Sequence, residues 1–157
     1  MYATRVSRHL QAPPAVVYRA LVDPDAIAAW RVPDGMTAHV HAFDAREGGA
    51  FRVSLVHDEQ GVPGKSGGRT DTYRGHFARL LPDQLVVEEI EFESDDDALR
   101  RPMTLTTSLT GADGGTDVVM VHEGIPDEIP REDNELGTRM ALDKLARLVE
   151  RTAPATA

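Results

Sequence analysis

The sequence predicts an α+β fold in which an antiparallel sheet of about seven strands packs against one long C-terminal helix. Between Pro130 and Glu150, apolar residues recur at steps of three and four, which is the period of a helix that buries one broad stripe. Between Met36 and His122, short segments alternate apolar and polar residues and are separated by turns rich in glycine and aspartate. That pattern is typical of strands joined by hairpins, and such a sheet needs a cover on one face.

A single domain spanning residues 1–157 is expected from the length, and 41% hydrophobic with 27% charged residues is ordinary for a soluble globular chain. The net charge of −9 argues against nucleic-acid partners and anionic membranes, because both require a basic surface. The chain has no cysteine, which excludes disulfides, thiol catalysis and thiolate metal sites. It shows no apolar signal core and no run long enough to span a membrane, so we expect a cytoplasmic location.

The first part of the chain predicts one strand followed by two short helices. Residues 4–11 mix apolar and polar positions as a strand does, and the prolines at 13–14 end the strand and fit the first turn of a helix. Asp23 is placed to cap a second helix, which carries Trp30 and stops before a turn at residues 33–35.

Six further strands follow, each indicated by alternating apolar and polar residues. They are placed at residues 36–43, 51–55, 72–80, 85–92, 103–109 and 118–122. In the first of them, Val40 is expected on the buried face and Phe43 on the opposite one. Hairpin turns are predicted at residues 44–49, where paired glycines supply positive φ angles, and at residues 112–115. The polar stretch from 58 to 69 lacks periodicity and predicts a long exposed loop.

The C-terminal helix carries an unusual pair of small residues. About twenty residues would make it about 30 Å long, and its acidic start and basic end suit the helix dipole. Gly137 and Ala141 lie one turn apart, although glycine within a helix costs about 1 kcal/mol relative to alanine. Two explanations stay open: the pair leaves room for a ligand, or it lets a strand approach the helix closely.

An ordered set of segments along about the whole chain resembles the AHSA1-like domain, named for the activator of Hsp90 ATPase, within the START-like or SRPBCC superfamily. These segments are Pro13–Pro24, Trp30 with Pro33–Met36, Asp44–Gly49, Tyr73–Gly75 and Leu142–Val149. The resemblance implies the helix-grip fold, in which a curved antiparallel sheet wraps around the C-terminal helix and two short helices follow the first strand.

The resemblance implies several roles, because the superfamily includes lipid carriers, receptors for hydrophobic ligands, polyketide cyclases and domains with no known role. Two departures bear on the choice. Many AHSA1-like members have a tryptophan directly after the glycine of the final helix, whereas here Thr138 follows Gly137. The eukaryotic co-chaperone has a further N-terminal domain for which this chain has no room, which weakens the expectation of a chaperone role.

The space between a curled sheet and its helix is the expected ligand site, although side chains could also fill it as a closed core. Methionines there would adapt to different ligand shapes or serve as ordinary core residues. The residues expected to line the site are Trp30, Phe51, Val53, Tyr73, Phe77, Glu88, Phe92, Met103, Met120, His122, Leu136, Gly137, Met140 and Ala141. No catalytic residue, metal or cofactor is predicted.

Three polar residues among them are candidates for chemistry. His122 follows Met120 on one strand face, so it is either a general base or hydrogen-bond donor for a ligand, or a core histidine satisfied by backbone or water. Glu88 shares the face of Phe92 and would need a cationic partner there, for which Arg52 or Arg74 is expected. Tyr73 either anchors a polar ligand group or only packs.

Two histidines on one strand, His39 and His41, have the residue types of a zinc site if a carboxylate such as Asp44 or Glu88 joins them. Because the neighbouring Val40 is expected to face inward, the histidines are expected to face solvent, and we predict no metal site.

Three functions therefore remain as hypotheses. The leading one is a protein that carries, senses or sequesters a hydrophobic or amphipathic small molecule. The first alternative is an accessory protein that contacts an Hsp90-type chaperone through its surface. The second is a cyclase-like or hydrolase-like enzyme that uses Tyr73, Glu88 and His122 in the same cavity. The sequence does not choose between a monomer and a homodimer.

Overall fold

The computed structural model describes residues 1–58 and 70–152. The elements in chain order are β1 (Tyr2–Leu10), α1 (Pro14–Leu21), α2 (Pro24–Trp30), β2 (Met36–Phe43), β3 (Ala50–His57), β4 (Thr70–Leu81), β5 (Leu85–Phe92), β6 (Met103–Ala112), β7 (Gly115–Ile125) and α3 (Arg131–Thr152). Apart from Asp58, the loop predicted for residues 58 to 69 lies outside the described residues.

Seven strands form one curved antiparallel sheet in the order β1-β7-β6-β5-β4-β3-β2. The two short helices are inserted between β1 and β2, and α3 follows β7. This confirms the predicted α+β helix-grip fold, because each hairpin joins neighbouring strands and the long helix comes last. No helix in the described part of the chain is long and apolar enough to cross a membrane.

The two predicted hairpin turns form, but their glycines serve different purposes. At the β6–β7 turn, Asp113 and Gly114 have φ angles of 50° and 77°, the paired positive values of a tight hairpin turn. At the β2–β3 turn, Gly48 has a φ of 80°, whereas Gly49 is needed because a Cβ there would lie 2.0 Å from the carbonyl oxygen of Asp44. The prediction that both glycines supply positive φ angles is therefore wrong for Gly49.

A β-bulge in β2 changes which residues face the core. The register with β3 shifts between Val40 and Ala42, so that the alternation reverses after the bulge. Phe43 consequently turns inward, against the expectation from simple alternation. Its ring lies 5.4 Å from that of Phe77 and 6.5 Å from that of Phe51, centroid to centroid, and the three rings form an aromatic cluster. His41 remains exposed.

The short helices fix the position of Trp30. The carboxylate of Asp23 accepts a hydrogen bond from the backbone N–H of Asp25 at 2.9 Å, which caps α2 as predicted. The indole Nε1–H of Trp30 donates to the carbonyl oxygen of Ala20 at 2.9 Å, so the buried ring ties α2 to α1. This arrangement places the end of α2 and the residues after it beside α3, with which α2 is in contact.

The second half of α3 closes the core. Leu142, Leu145 and Val149 are at most 1% exposed, and α3 contacts β1, α1 and α2. In the first half of the helix, the inward positions are instead held by Gly137 and Ala141, which are too small to reach the middle of the sheet. The result is an unfilled space between the first half of α3 and the inner face of the sheet.

Candidate ligand-binding cavity

The unfilled space is a cavity of about 620 Å³. It is bounded by the inner face of β3 to β7, by the segment from Trp30 to Pro33 at the end of α2, and by the first half of α3. Aliphatic and aromatic side chains form most of its wall, and a few polar groups interrupt them. Volume and lining are those of sites that accept small organic molecules.

Most of the residues expected to line the ligand site come together around this cavity. Tyr73 from β4 and Phe92 from β5 stand opposite each other on neighbouring strands. The expected residues on the cavity wall are Trp30, Tyr73, Phe92, Met103, Met120, His122, Gly137 and Ala141.

Three of the other expected residues lie in the closed core instead. Phe51, Val53 and Phe77 are at most 3% exposed, and none of them reaches the cavity wall. Phe51 and Phe77 pack instead against Phe43, which the bulge in β2 turns inward to complete the aromatic cluster. The expectation that these three residues face the ligand space is therefore wrong.

The phase of α3 accounts for two further corrections. The cavity face of the helix includes Asn134, Gly137, Thr138 and Ala141, which share one side because the pairs 134/137, 134/138, 137/141 and 138/141 are three or four residues apart. At about 100° per residue, Leu136 and Met140 fall outside the arc of the helix that these residues cover. Leu136 is 56% exposed, and Met140 is half-buried outside the cavity wall, so neither faces the cavity as expected.

Glu88 lies behind the cavity wall and is paired with a residue that the sequence did not indicate. Its Oε1 accepts a hydrogen bond from Nη1 of Arg31 at 2.7 Å, and the side chains are 7% and 17% exposed. The predicted partners are wrong, because Arg52 and Arg74 lie on the outer face of the sheet and pair with Glu93 and Glu91. Side chains of consecutive residues on a strand point to opposite faces, which separates the two groups.

Arg31 is the cation of the cavity wall. Its guanidinium carbon lies 5.3 Å from the ring centroid of Tyr73, so the cation rests on the aromatic face. Burial alone would lower the pKa of Arg31, but the charge of Glu88 and its hydrogen bond outweigh burial and raise it. Arg31 and Glu88 therefore form a buried ion pair whose net charge is zero.

His122 is held by a relay of hydrogen bonds. The hydroxyl of Thr4 donates to Oδ1 of Asn134 at 2.6 Å, and Nδ2 of Asn134 lies 3.0 Å from Nδ1 of His122. Burial, together with the charge of Arg31, lowers the pKa of His122 to about 4, so the ring is neutral near pH 7. Its Nε2 is buried and has no hydrogen-bond partner among the described residues.

Tyr73 carries a second buried polar atom without a partner. The residue is 6% exposed, and its hydroxyl finds no hydrogen-bond partner among the described residues. Burial raises the pKa of Tyr73, although the charge of Arg31 acts in the opposite direction. The phenol therefore keeps its proton and is available as a donor.

Comparison with known proteins identifies the family of the chain. Residues 11–150 match the family model described as "Activator of Hsp90 ATPase homolog 1-like protein". The chain belongs to this family. None of the curated proteins compared with it is similar.

Solved structures of bacterial proteins share the fold of this AHSA1-like chain. A crystal structure from Chromobacterium violaceum is 34% identical, with a TM-score of 0.84, and the match covers 96% of this chain and 99% of that one. A protein from Rhodobacter sphaeroides is 21% identical over 96% and 93% of the two chains, with a TM-score of 0.79. An AHSA1-like protein from Aeromonas hydrophila is 19% identical over 96% and 94%, with a TM-score of 0.70.

The departure from the AHSA1-like pattern on α3 borders the cavity. Thr138 stands where many family members have tryptophan, and it lines the cavity. Its hydroxyl donates to the carbonyl oxygen of Asn134 at 2.8 Å, so the polar group is satisfied within the helix itself. A threonine fills much less space than a tryptophan would at this position.

No group of three or more histidine, aspartate or glutamate side chains among the described residues could hold a metal ion. His39 and His41 are exposed on β2, and Nε2 of His41 hydrogen-bonds with the hydroxyl of Ser54 at 2.8 Å. Sequence reasoning missed Arg31 and Asn134, because each owes its position to partners distant in the chain.

Proposed function

We propose that this AHSA1-like protein binds a hydrophobic or amphipathic small molecule between its sheet and α3, in order to carry, sense or sequester it. The cavity of about 620 Å³ with its mainly apolar wall is the observation that carries the proposal. Apolar molecules gain free energy when they leave water for such a site, at roughly 25 cal/mol per Å² of surface buried.

Gly137 supports the ligand explanation over close approach of a strand. A Cβ atom built on Gly137 would meet no heavy atom within 4 Å, apart from the backbone of its own helix. Gly75 shows what close approach looks like, because a Cβ there would lie 1.8 Å from the carbonyl oxygen of Glu89. The glycine of α3 therefore leaves space open on the side where the cavity lies.

A substitution that fills this space tests the proposal. Gly137→Leu should lower the affinity for an apolar probe such as 2-ethylnaphthalene at least roughly tenfold, because the new side chain would occupy the cavity. Arg139→Leu is the matched control, since it adds a leucine to an exposed position of the same helix. Equilibrium dialysis gives the affinities, and native mass spectrometry of freshly purified protein shows whether a ligand is retained.

The proposal fails if the wild-type protein retains no small molecule and takes up no apolar probe. It also fails in its location if Gly137→Leu and Arg139→Leu bind the probe equally well. Circular dichroism of both variants separates a filled cavity from an unfolded chain, because only the former keeps the native spectrum.

The name of the family motivates a chaperone accessory as the alternative. The described surface gives this alternative little support. Its exposed large hydrophobic residues are Met1 and Leu136, and single exposed apolar residues do not make a docking patch. Stimulation of an Hsp90-type ATPase by the purified protein would support the alternative. An enzymatic role is less well supported, because Glu88 is held in an ion pair and His122, with a pKa of about 4, is a weak base at pH 7.

A further inference from the structure

We propose that the ligand is an uncharged, mainly apolar molecule that carries a carbonyl-type oxygen, and that this oxygen accepts a hydrogen bond from the hydroxyl of Tyr73 or from the Nε2–H of His122. The inference rests on the proposed function and deepens it by naming the class of ligand. It depends on three features of the cavity: the direction of the hydrogen-bond relay, the two polar atoms without partners, and the balance of charges.

The relay through Asn134 decides which nitrogen of His122 carries the proton. Because Oδ1 of Asn134 accepts from the hydroxyl of Thr4, its Nδ2 is the atom that faces the imidazole, and Nδ2 can only donate. Nδ1 of His122 must then accept, so the single hydrogen of the neutral ring lies on Nε2. His122, a residue of the cavity wall, therefore carries a buried donor whose tautomer is fixed by the relay.

The hydroxyl of Tyr73 acts as a donor for a different reason. The guanidinium of Arg31 lies against its ring and brings a positive charge, which favours an acceptor rather than another donor beside the phenol. Both Tyr73 and His122 line the cavity, and both end in a buried polar atom that has no partner among the described residues. A buried donor without a partner is costly, and a ligand oxygen that approaches either atom would remove that cost.

The charges around the cavity favour an uncharged ligand. Arg31 is the only cation among the described residues of the wall, and Glu88 already neutralises it. Three exposed carboxylates also line the cavity, those of Asp96, Glu128 and Asp133. A carboxylate ligand would lose its hydration and meet these like charges, whereas a ketone, ester or amide offers the same kind of acceptor oxygen without a charge.

Three probes with one ring system separate these features. They are 2-acetylnaphthalene, which has a ketone, 2-ethylnaphthalene, which has no acceptor, and 2-naphthoate, which is anionic. Equilibrium dialysis against the wild-type protein should give the tightest binding for the ketone, roughly tenfold weaker binding for the hydrocarbon, and weaker binding again for the anion.

Two phenylalanine substitutions assign the donors. Tyr73→Phe removes one oxygen, and His122→Phe replaces the imidazole with a ring that cannot donate. In the double variant, the affinity for 2-acetylnaphthalene should fall roughly tenfold to the level of 2-ethylnaphthalene, because both donors are gone. Tyr18→Phe is the control, since Tyr18 lies on α1 away from the cavity, and it should leave all three affinities unchanged. Retained binding of 2-ethylnaphthalene shows that each variant is folded.

The outcomes distinguish this inference from the proposed function. If the hydrocarbon and the ketone bind equally to the wild type, or if the double variant binds the ketone as well as the wild type does, the cavity binds apolar molecules but the donors do not select them. If 2-naphthoate binds most tightly, Arg31 serves as an anion site and the inference is overturned. If none of the three probes binds, the inference is overturned, and the proposed function fails with it if the purified protein also retains no small molecule.

Discussion

The two halves of α3 lie along the same sheet but meet it in opposite ways. The closed half, residues 142–151, buries Leu142, Leu145 and Val149 in the hydrophobic core. The open half, residues 131–141, turns Gly137 and Ala141 toward the sheet and leaves a cavity of about 620 Å³. Both halves have regular helical backbone, so the size of the inward side chains decides where the core ends and the cavity begins.

The comparison separates stability from binding within one helix. Large apolar residues in the closed half stabilise the fold by removing surface from water. In the open half, small residues give up that contribution. On the sheet across the cavity, the buried polar groups of Tyr73 and His122 add a cost that a ligand would offset. Substitutions in the closed half should therefore change mainly the free energy of unfolding, and those in the open half should change mainly the affinity for a ligand.

Leu145→Ala tests the closed half and should have the largest effect. The side chain of Leu145 is fully buried, and its truncation should lower the free energy of unfolding by about 3 kcal/mol, through lost burial and the cavity left behind. Urea denaturation followed by circular dichroism measures the change. The control is Leu136→Ala on the same helix, where a 56% exposed side chain should cost less than about 0.5 kcal/mol.

Ligand binding by the Leu145→Ala variant shows whether the two halves of α3 act independently. Where the variant is folded, its affinity for 2-ethylnaphthalene should equal that of the wild type, because the lost atoms lie outside the cavity wall. A drop in affinity that exceeds the unfolded fraction would show that the two halves of α3 are not independent.

The pH dependence of stability tests His122, which faces the open half of α3 across the cavity, and its effect should be nearly as large. Burial lowers the pKa of His122 from an ordinary 6.5 to about 4, so between these values the unfolded chain binds a proton that the folded chain does not. Stability should therefore be complete above pH 6.5 and fall as the pH drops toward 4, by about 3 kcal/mol in total from this group.

Two variants isolate the contribution of His122. In His122→Phe, the loss of stability between pH 6.5 and 4 should be smaller than in the wild type, because no imidazole is left to be protonated on unfolding. His39→Phe removes an exposed imidazole from β2 and should leave the wild-type slope in place. Urea denaturation midpoints measured between pH 6.5 and 4 test this. If stability falls equally with pH in the wild type and in His122→Phe, the histidine is not held neutral in the fold.

The fold could be predicted from the sequence because its signals are local. Alternation marks the strands, Asp113–Gly114 marks a hairpin, and a three- and four-residue period marks α3. The phase of the open half could not be predicted in the same way. Leu136 and Met140 extend the apolar stripe by helical spacing, yet the inward face holds Gly137 and Ala141, and only contact with the sheet decides between the two faces.

The polar part of the cavity could not be predicted because its partners are distant in the chain. Arg31 and Glu88 are 57 residues apart, and Thr4 and Asn134 are 130 apart. Side-chain alternation placed Glu88 on the inner face, but Arg52 of β3 or Arg74 of β4 was expected to pair with it there, and both face outward. Pairing across such separations follows from the way α2 and β1 are laid against α3, which no local pattern encodes.

Gly137→Ala in the open half should change stability less than Leu145→Ala in the closed half does, and in the opposite direction. A Cβ at this position meets no neighbouring atom within 4 Å, so the helix should gain about 1 kcal/mol of stability without strain. A single methyl group leaves most of the cavity open, and the affinity for 2-ethylnaphthalene should change less than roughly threefold. Urea denaturation and equilibrium dialysis measure both quantities. A destabilised variant would mean that the sheet approaches α3 closely in solution and that the space beside Gly137 is closed.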